Sequence, residues 1–378
     1  MNKKRSAVKV CHMTSVHPAK DGRIFYKECT SLAKAGYDVT LVAAGANDEI
    51  CNGVKIVGVP IKNNGRFHRM FKVGRSVYKK ALEINADIYH LHDPELLPFG
   101  LKLKRKGKKV IFDSHEDYPA NISEKNYLPS IIANIISQLY SKYENRVLKN
   151  IDGVISVTPH LTQRLVQITQ RVAEITNYKI VNESDTNCDS ASIQFTFAFI
   201  GPIRHQWCVK EILQVFNCYD NLRLNLAGSA EENYLLDLKK LPNWEYVKYY
   251  GKVRPEEVEK IYTSSSVGFA LLRYCKAVGN NIGTLGNTKL FEIMGAGKPV
   301  ICTDFILWKK IIEQYKCGIC VNPEKPEEII NAMTYLITHP KEAKQMGENG
   351  RRAVLTEFNW KTQETILINF YDLLLQNI

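Results

Sequence analysis

The run Asn280-Asn-Ile-Gly-Thr-Leu-Gly-Asn-Thr-Lys-Leu-Phe-Glu292 holds the densest chemistry in this chain. A glycine-bearing loop leads straight into a helix, with Asn287 or Thr288 as the N-cap. Unpaired main-chain N–H groups and the positive end of the helix dipole make such a place receptive to phosphate. Glu292 follows one turn on. A capping box needs the acid three residues after the cap, whereas Glu292 stands four after Thr288 and five after Asn287. An acid among Leu290, Phe291, Ile293 and Met294 calls for a specific donor, such as the hydroxyls of a sugar or ribose. The plainer reading is a helix acid paired with Lys289 or water.

Other candidates stand where strands are expected to end. Arg204, in Gly201-Pro-Ile-Arg204, has the fork geometry that binds a diphosphate, or it is a solvated turn arginine. His115, in Ser114-His-Glu-Asp-Tyr-Pro119, sits beside the acids Glu116 and Asp117 and suits proton transfer or oxygen binding, or is a plain surface histidine. His92 and Asp93, in Tyr89-His-Leu-His-Asp-Pro-Glu95, fall at another strand end. His90 shares a strand face with His92, where a metal is conceivable but a core or rim role is favoured. His12-Met-Thr-Ser15 and Asp21-Gly-Arg23 complete the group. Neither GxGxxG nor GxxxxGK[ST] occurs, which argues against ordinary dinucleotide or P-loop binding, and there is no G-x-S-x-G elbow.

These groups need a scaffold, and the periodicity supplies one. Short β-branched runs alternate with amphipathic helical stretches, the pattern of open parallel sheets covered by helices. Strands are expected at Val8–Met13, Asp38–Ala43, Lys55–Pro60, Ile88–Leu91, Lys109–Asp113 and Gly153–Val157. A second series is expected at Thr196–Gly201, Leu222–Ala227, Tyr246–Tyr250, Val267–Leu271, Pro299–Cys302 and Gly318–Val321. Helices are expected at Phe25–Ala35, Phe71–Ile84, Val209–Tyr219, Pro255–Ser264, Thr288–Gly295, Pro326–Thr338 and Lys341–Glu357. Between Asn177 and Ile193 the pattern lapses into linker composition. Two α/β domains follow, at 1–180 and 194–360, with a cleft between them for ligands.

Charge divides the same way. Of 51 basic and 39 acidic residues in 378, the first 180 hold 29 and 16, so the whole net charge of +12 belongs to the first half. No acid occurs between Glu49 and Glu83, while Lys62, Arg66, Arg69, Lys72, Arg75, Lys79 and Lys80 accumulate around an apolar stripe. With the run Lys102–Lys109, this suggests a domain that rests on an anionic membrane surface. The other reading is a solvated helix face whose stripe packs on the sheet. Nucleic acid is the rival polyanion, but no motif supports it. No secretory signal or spanning segment is expected. The ten cysteines read as reduced thiols of a cytoplasmic protein, and Cys317-Gly-Ile-Cys320 lacks a second pair to complete a metal site.

Taken together, Asn287-Thr-Lys-Leu-Phe-Glu-Ile-Met-Gly-Ala-Gly-Lys-Pro-Val300, Asp304, Trp308 and Cys317–Pro323 resemble the donor-site signature of glycosyltransferase family 4. Met346–Arg351 and Phe358–Trp360 are similar to its C-terminal helices. In the first half, Met13–Pro18, Asp21–Phe25, His92–Pro98 and His115–Pro119 resemble a bacterial surface-polysaccharide branch. The resemblance implies an α/β GT-B fold: two Rossmann-like domains facing each other across a cleft, the last helix (361–378) packing back on the first domain. It also implies sugar transfer, typically with retention and without metal or other cofactor, from a UDP- or GDP-linked sugar to a lipid-linked glycan.

By the same resemblance Glu292 holds the donor ribose. The amides from Gly283 through Thr284, Gly286, Asn287 and Thr288, with Arg204 and Lys289, hold the diphosphate. Main chain around Gly251 and Val253 meets the base, and His115 meets the transferred sugar; Arg23, His92, Asp93 and Glu116 lie on the acceptor side. Two departures stand out. The glutamate that often precedes Glu292 by eight residues is Thr284 here, and a second phosphate-clamping base expected near Trp207 and Cys208 is missing. The expected protein is thus a peripheral enzyme at the inner face of the membrane. The alternatives are a UDP-sugar 2-epimerase of the same fold and a non-catalytic membrane- or polyanion-binding protein.

Overall fold

The computed structural model describes residues 5, 8–61, 72–123, 129–181, 195–216, 222–275 and 278–376. The chain forms two compact units, 1–177 with 360–378, and 178–359. The crossovers fall at 177/178 and 359/360, against expected limits of 180 and 360. Tyr178 goes with the second unit because its ring meets Phe291 at 4.8 Å and Phe358 at 5.6 Å. Trp360 goes with the first, donating its indole N–H to Ser31 Oγ at 2.9 Å.

The first unit is built on β1 (Lys9–Thr14), β2 (Asp38–Ala44), β3 (Glu49–Cys51), β4 (Val54–Val59), β5 (Ile88–Leu91), β6 (Lys109–Ser114), β7 (Gly153–Ser156) and β8 (Val172–Glu174). Their order across the sheet is β3-β4-β2-β1-β5-β6-β7-β8. All neighbours are parallel except β3, which returns antiparallel on β4. Strands β5 and β7 are buried along their whole length, as expected where helices cover both faces. The short strands β3 and β8 were not anticipated. The Asn52-Gly53 turn, both residues at positive φ (52° and 76°), forms the β3–β4 hairpin and was the available signal.

The second unit carries β9 (Thr196–Ile200), β10 (Arg223–Ala227), β11 (Val247–Gly251), β12 (Val267–Ala270), β13 (Val300–Thr303) and β14 (Gly318–Val321). These form an all-parallel sheet in the order β11-β10-β9-β12-β13-β14. In each sheet the strand order reverses at the first strand, between β1 and β5 and between β9 and β12. The connections leave in opposite directions there and open a crevice beyond the strands' carboxyl ends.

The helix expected at Phe71–Ile84 is Gly74–Ile84. Its Val77, Tyr78 and Ala81, and the preceding Val73, are buried in the core, so this apolar stripe packs inward and is not available to a membrane. Residues 62–71, the most basic part of that reading, and the linker from 182 onward lie outside the described residues. No helix among the described residues is long and apolar enough to cross a membrane.

Helix Trp360–Leu375 buries Leu367, Phe370, Tyr371 and Leu374 in the first unit's core. A side-chain carbon added at Gly153 on β7 would lie 2.6 Å from the Phe370 ring. Gly153→Val is therefore expected to destabilise the protein by about 1–3 kcal/mol. Urea denaturation should show the loss, and adding Phe370→Ala in the same chain should recover part of it.

Candidate functional site

In the second unit, the crevice between β9 and β12 is bordered by the turn at Gly201–Arg204 and by the loop and helix that follow β12. Gly201 has φ +149°, and a β-carbon there would fall 2.4 Å from the Lys289 ammonium. Lys289 therefore lies directly over the Gly201 turn. Its side chain is 4% exposed, and Nζ makes no hydrogen bond. The ammonium lies 3.0 Å from the centre of the Trp207 ring and 4.5 Å from that of Phe199. Cation–π attraction offsets part of the burial cost. Burial nonetheless pushes the lysine pKa well below its ordinary value, against the attraction of Glu292. A buried amine without a hydrogen-bonding partner is costly and calls for a physical reason.

Arg204 is exposed, its guanidinium forms no hydrogen bond among the described residues, and it lines an open pocket of about 370 Å³ with Ser229, Ala230 and Glu231. Glu292 lies partly exposed, its Oε1 accepting the Thr288 hydroxyl at 2.8 Å rather than bonding Lys289. The loop before it is internally braced. Gly286 N–H donates to Thr284 Oγ1 at 3.0 Å, and Trp308 donates its indole N–H to the Thr284 carbonyl at 2.7 Å. A β-carbon at Gly283 would strike Phe305 at 2.5 Å. Gly251 closes β11 with its carbonyl accepting Gly228 N–H at 2.7 Å, and Val253 packs partly buried against the core.

The helix itself needs a correction. It runs only Lys289–Gly295, seven residues, and Asn287 Oδ1 already takes the Lys289 main-chain N–H at 3.2 Å. About two turns with one end donor occupied form a weaker anion site than the sequence suggested. The charge comes instead from Lys289 and Arg204. Lys289 also stands where the second base was missing, because its side chain reaches the face of Trp207. Asn287 keeps a buried, unpartnered amide Nδ2 beside it in sequence.

In the first unit, His115 follows β6. Its Nε2 lies 3.1 Å from Asp113 Oδ2 and 3.3 Å from His92 Nδ1. Arg23 grips the same aspartate through Nε at 2.9 Å and Nη2 at 3.1 Å, and gives Nη1 to the Ile175 carbonyl at 2.8 Å. Burial alone would raise the Asp113 pKa, but Arg23 and then His115 outweigh it and hold the carboxyl well below its usual range. Asp93 accepts the Thr14 hydroxyl at 3.0 Å and, from Ser15, the main-chain N–H at 2.5 Å and the hydroxyl at 3.1 Å. The His17 ring lies 5.0 Å from that of His115.

Three acceptor-side expectations are thereby corrected. Arg23, His92 and Asp93 are all buried: Arg23 is spent on Asp113, Glu28 and the Ile175 carbonyl, His92 on His12 and His115, and Asp93 on the β1 loop. They support the site from behind. Glu116 is exposed, accepting Asn121 Nδ2 at 2.6 Å, and His115 is partly buried at the same strand end. Sequence reasoning missed Asp113 and Glu28 as members of this network. The available signals were an acid closing an apolar strand and an acid inside the apolar stretch Ile24–Cys29. Cys317 and Cys320 join no group of potential metal ligands among the described residues.

Two parallel-sheet units, each with polar groups at its switch point, define a GT-B glycosyltransferase. The profile described as Glycosyltransferase Family 4 matches residues 22–177, and that of Glycosyl transferases group 1 matches 189–353. The chain belongs to glycosyltransferase family 4. It is 24% identical over 328 residues to a glycosyltransferase of Methanocaldococcus jannaschii, covering 81% of this chain and 79% of that one. Among solved structures it is similar to sucrose-phosphate synthase of Thermosynechococcus elongatus (TM-score 0.73, 15% identity, 98% and 100% of the two chains). It is also similar to HepE of Anabaena in complex with UDP and glucose (TM-score 0.67, 11% identity, 97% and 99%).

Lys289 is held in place against its own solvation preference. Lys289→Met removes the buried charge while keeping the packing on Trp207. The variant is expected to melt no lower than the wild type, as measured by calorimetry. A fall of several degrees would mean that the ammonium stabilises the fold.

Proposed function

We propose that the protein transfers a sugar from a nucleoside-diphosphate donor to a lipid-linked glycan, with retention, in surface polysaccharide synthesis. The observation that carries the donor half is the unpartnered Lys289 ammonium over the Gly201 turn, with Arg204 on the same turn. Two cations close to one strand end suit a diphosphate, whose charge grows as the glycosidic bond breaks. HepE, of the same fold, binds UDP. Glu292, already oriented by Thr288, suits the ribose hydroxyls. The leaving diphosphate is neutralised by Lys289 and Arg204, so this step calls for no metal. On the acceptor domain, the Asp113 carboxylate accepts a hydrogen bond from His115 Nε2–H and leaves Nδ1 to meet the sugar.

The same reading places the enzyme at the inner face of the membrane, and helix Ser130–Leu148 supplies the surface. Ile131, Ile132, Ile135, Ile136, Leu139 and Tyr143 are exposed, Ile131 by 73% and Leu139 by 62%. At 100° per residue they occupy about 140° of one side. Lys142, Arg146 and Lys149 continue that side towards the C-terminus, and the helix's only acid, Glu144, is buried against Arg164. Exposed apolar side chains flanked by cations suit an anionic bilayer. Ser137 Oγ, on another side of the helix, donates to the Pro119 carbonyl at 2.6 Å, which ties the helix to the segment after His115.

Both halves are testable. UDP- and GDP-sugars should be screened for thermal protection, one nucleotide being expected to raise the melting temperature. Arg204→Ala, Glu292→Ala and Lys289→Met should each weaken that nucleotide about 10–100-fold. Wild-type affinity and turnover in all three would remove the donor site. Consumption of donor without acceptor would favour the epimerase.

For the membrane half, the wild type should sediment with vesicles containing phosphatidylglycerol at low salt. Ile135→Glu combined with Leu139→Glu should reduce binding at least about 10-fold, since burying one such side chain is worth about 1.5–3 kcal/mol. If this face instead joins two copies of the chain, light scattering will show a dimer that the double variant dissociates.

A further inference from the structure

The first unit encloses a second group of polar side chains that the transfer chemistry leaves unused. His12 on β1 and His90 on β5 are register partners, and His92 lies two residues further along the same face of β5. Glu28, from the helical turn Ile24–Cys29, and Tyr371, from helix Trp360–Leu375, cover that face. His12, Glu28, His90, His92 and Tyr371 are all completely buried. One ligand-type atom from each of His12, Glu28, His90 and His92 lies within 4.8 Å of all the others.

The hydrogen bonds divide these atoms into two sets. Tyr371 OH lies 2.8 Å from His90 Nδ1 and 3.3 Å from His12 Nε2, and Asp113 Oδ2 lies 3.6 Å from His92 Nδ1. Each imidazole thus has one nitrogen engaged outside the group, His12 and His90 with Tyr371 OH and His92 Nδ1 with His115 Nε2 at 3.3 Å, as outer partners orient metal-binding histidines. The remaining atoms have only each other. His12 Nδ1 and His92 Nε2 are 2.9 Å apart, and His90 Nε2 has no partner at all. Neither Glu28 oxygen is hydrogen-bonded, although Oε1 forms an ion pair with Arg23 Nε at 2.9 Å. Arg23 faces both Glu28 and Asp113, and burial with the nearby Asp113 pushes the Glu28 pKa well above its ordinary value.

We propose that His12, His90, His92 and Glu28 form a closed structural site for a divalent transition cation of the zinc class. Three imidazoles and a carboxylate make a full tetrahedral set with no position open to substrate. The cation would join β1, β5 and the Ile24–Cys29 turn behind the acceptor-side centre, and would take no part in sugar transfer. His92 also belongs to a second close group, with Asp113 and His115, but His115 is partly exposed and already bonded to Asp113. The enclosed set is the one with unclaimed atoms.

The test uses the full-length protein purified with and without added Zn²⁺. After dialysis, elemental analysis should find about one zinc per chain. A strong chelator should lower the melting temperature by several degrees, and Zn²⁺ should restore it. Co²⁺ in its place should give the visible absorption of a tetrahedral centre. His90→Gln and Glu28→Gln should retain at most about a tenth of the metal. Should either variant fail to fold, the wild-type measurements decide alone. Wild type that carries less than about a tenth of an equivalent, and melts identically with Zn²⁺ and with chelator, overturns the proposal. That result would leave nucleotide protection, and hence the donor-site reading, untouched.

Discussion

The donor unit depends on one uncomfortable contact, a lysine ammonium held away from water against the ring of Trp207. Such a charge is tolerated because the ring offsets part of its burial and because Gly201 leaves room above the turn. The arrangement concentrates positive charge at one end of the sheet without a long helix behind it. The helix that carries the lysine has only seven residues. Its dipole contributes less than a side-chain cation placed at the same spot, and the helix acts mainly as the mount for that cation. The braced loop at Gly283–Gly286 has the same purpose, fixing where the helix begins.

The first unit solves a similar problem with more groups. Arg23 joins two buried carboxylates, and one of them, Asp113, reaches His115 at the strand end. A histidine backed by a fixed aspartate keeps its proton on the inner nitrogen and offers the outer one. Arg23 and Asp93 buttress the groups that face outward, so their substitution is felt through position rather than contact. Asp113 is on β6, whereas Arg23, Asp93 and His115 stand in loops, so each polar side chain finds its partner on a different segment.

Much of the fold was legible in the sequence. Twelve of the fourteen strands lie where alternation of β-branched runs with amphipathic stretches put them, because strands buried on both faces read as continuous apolar segments. The two missed strands, β3 and β8, are three residues each and too short to carry a pattern. The candidate site was legible only as positions along the chain, Arg204 and His115 after strands and Lys289 and Glu292 on a helix. Its internal order was not. The resemblance put Arg23 and His92 on the acceptor side, yet Arg23's partner Asp113 lies 90 residues away and could not be read from the spacing.

Sequence alone therefore determined the two sheets, the switch points and the family, since these follow from periodicity and from motifs contiguous along the chain. Tertiary structure decided which polar groups face outward and which are spent inside. It decided that the stripe after Gly74 packs inward while the isoleucines of Ser130–Leu148 stay exposed, and that the Lys289 side chain lies against the Trp207 ring. The physical reason is common to all three. Exposure and pairing depend on what lies across the sheet or over the turn, and those neighbours come from segments up to hundreds of residues away.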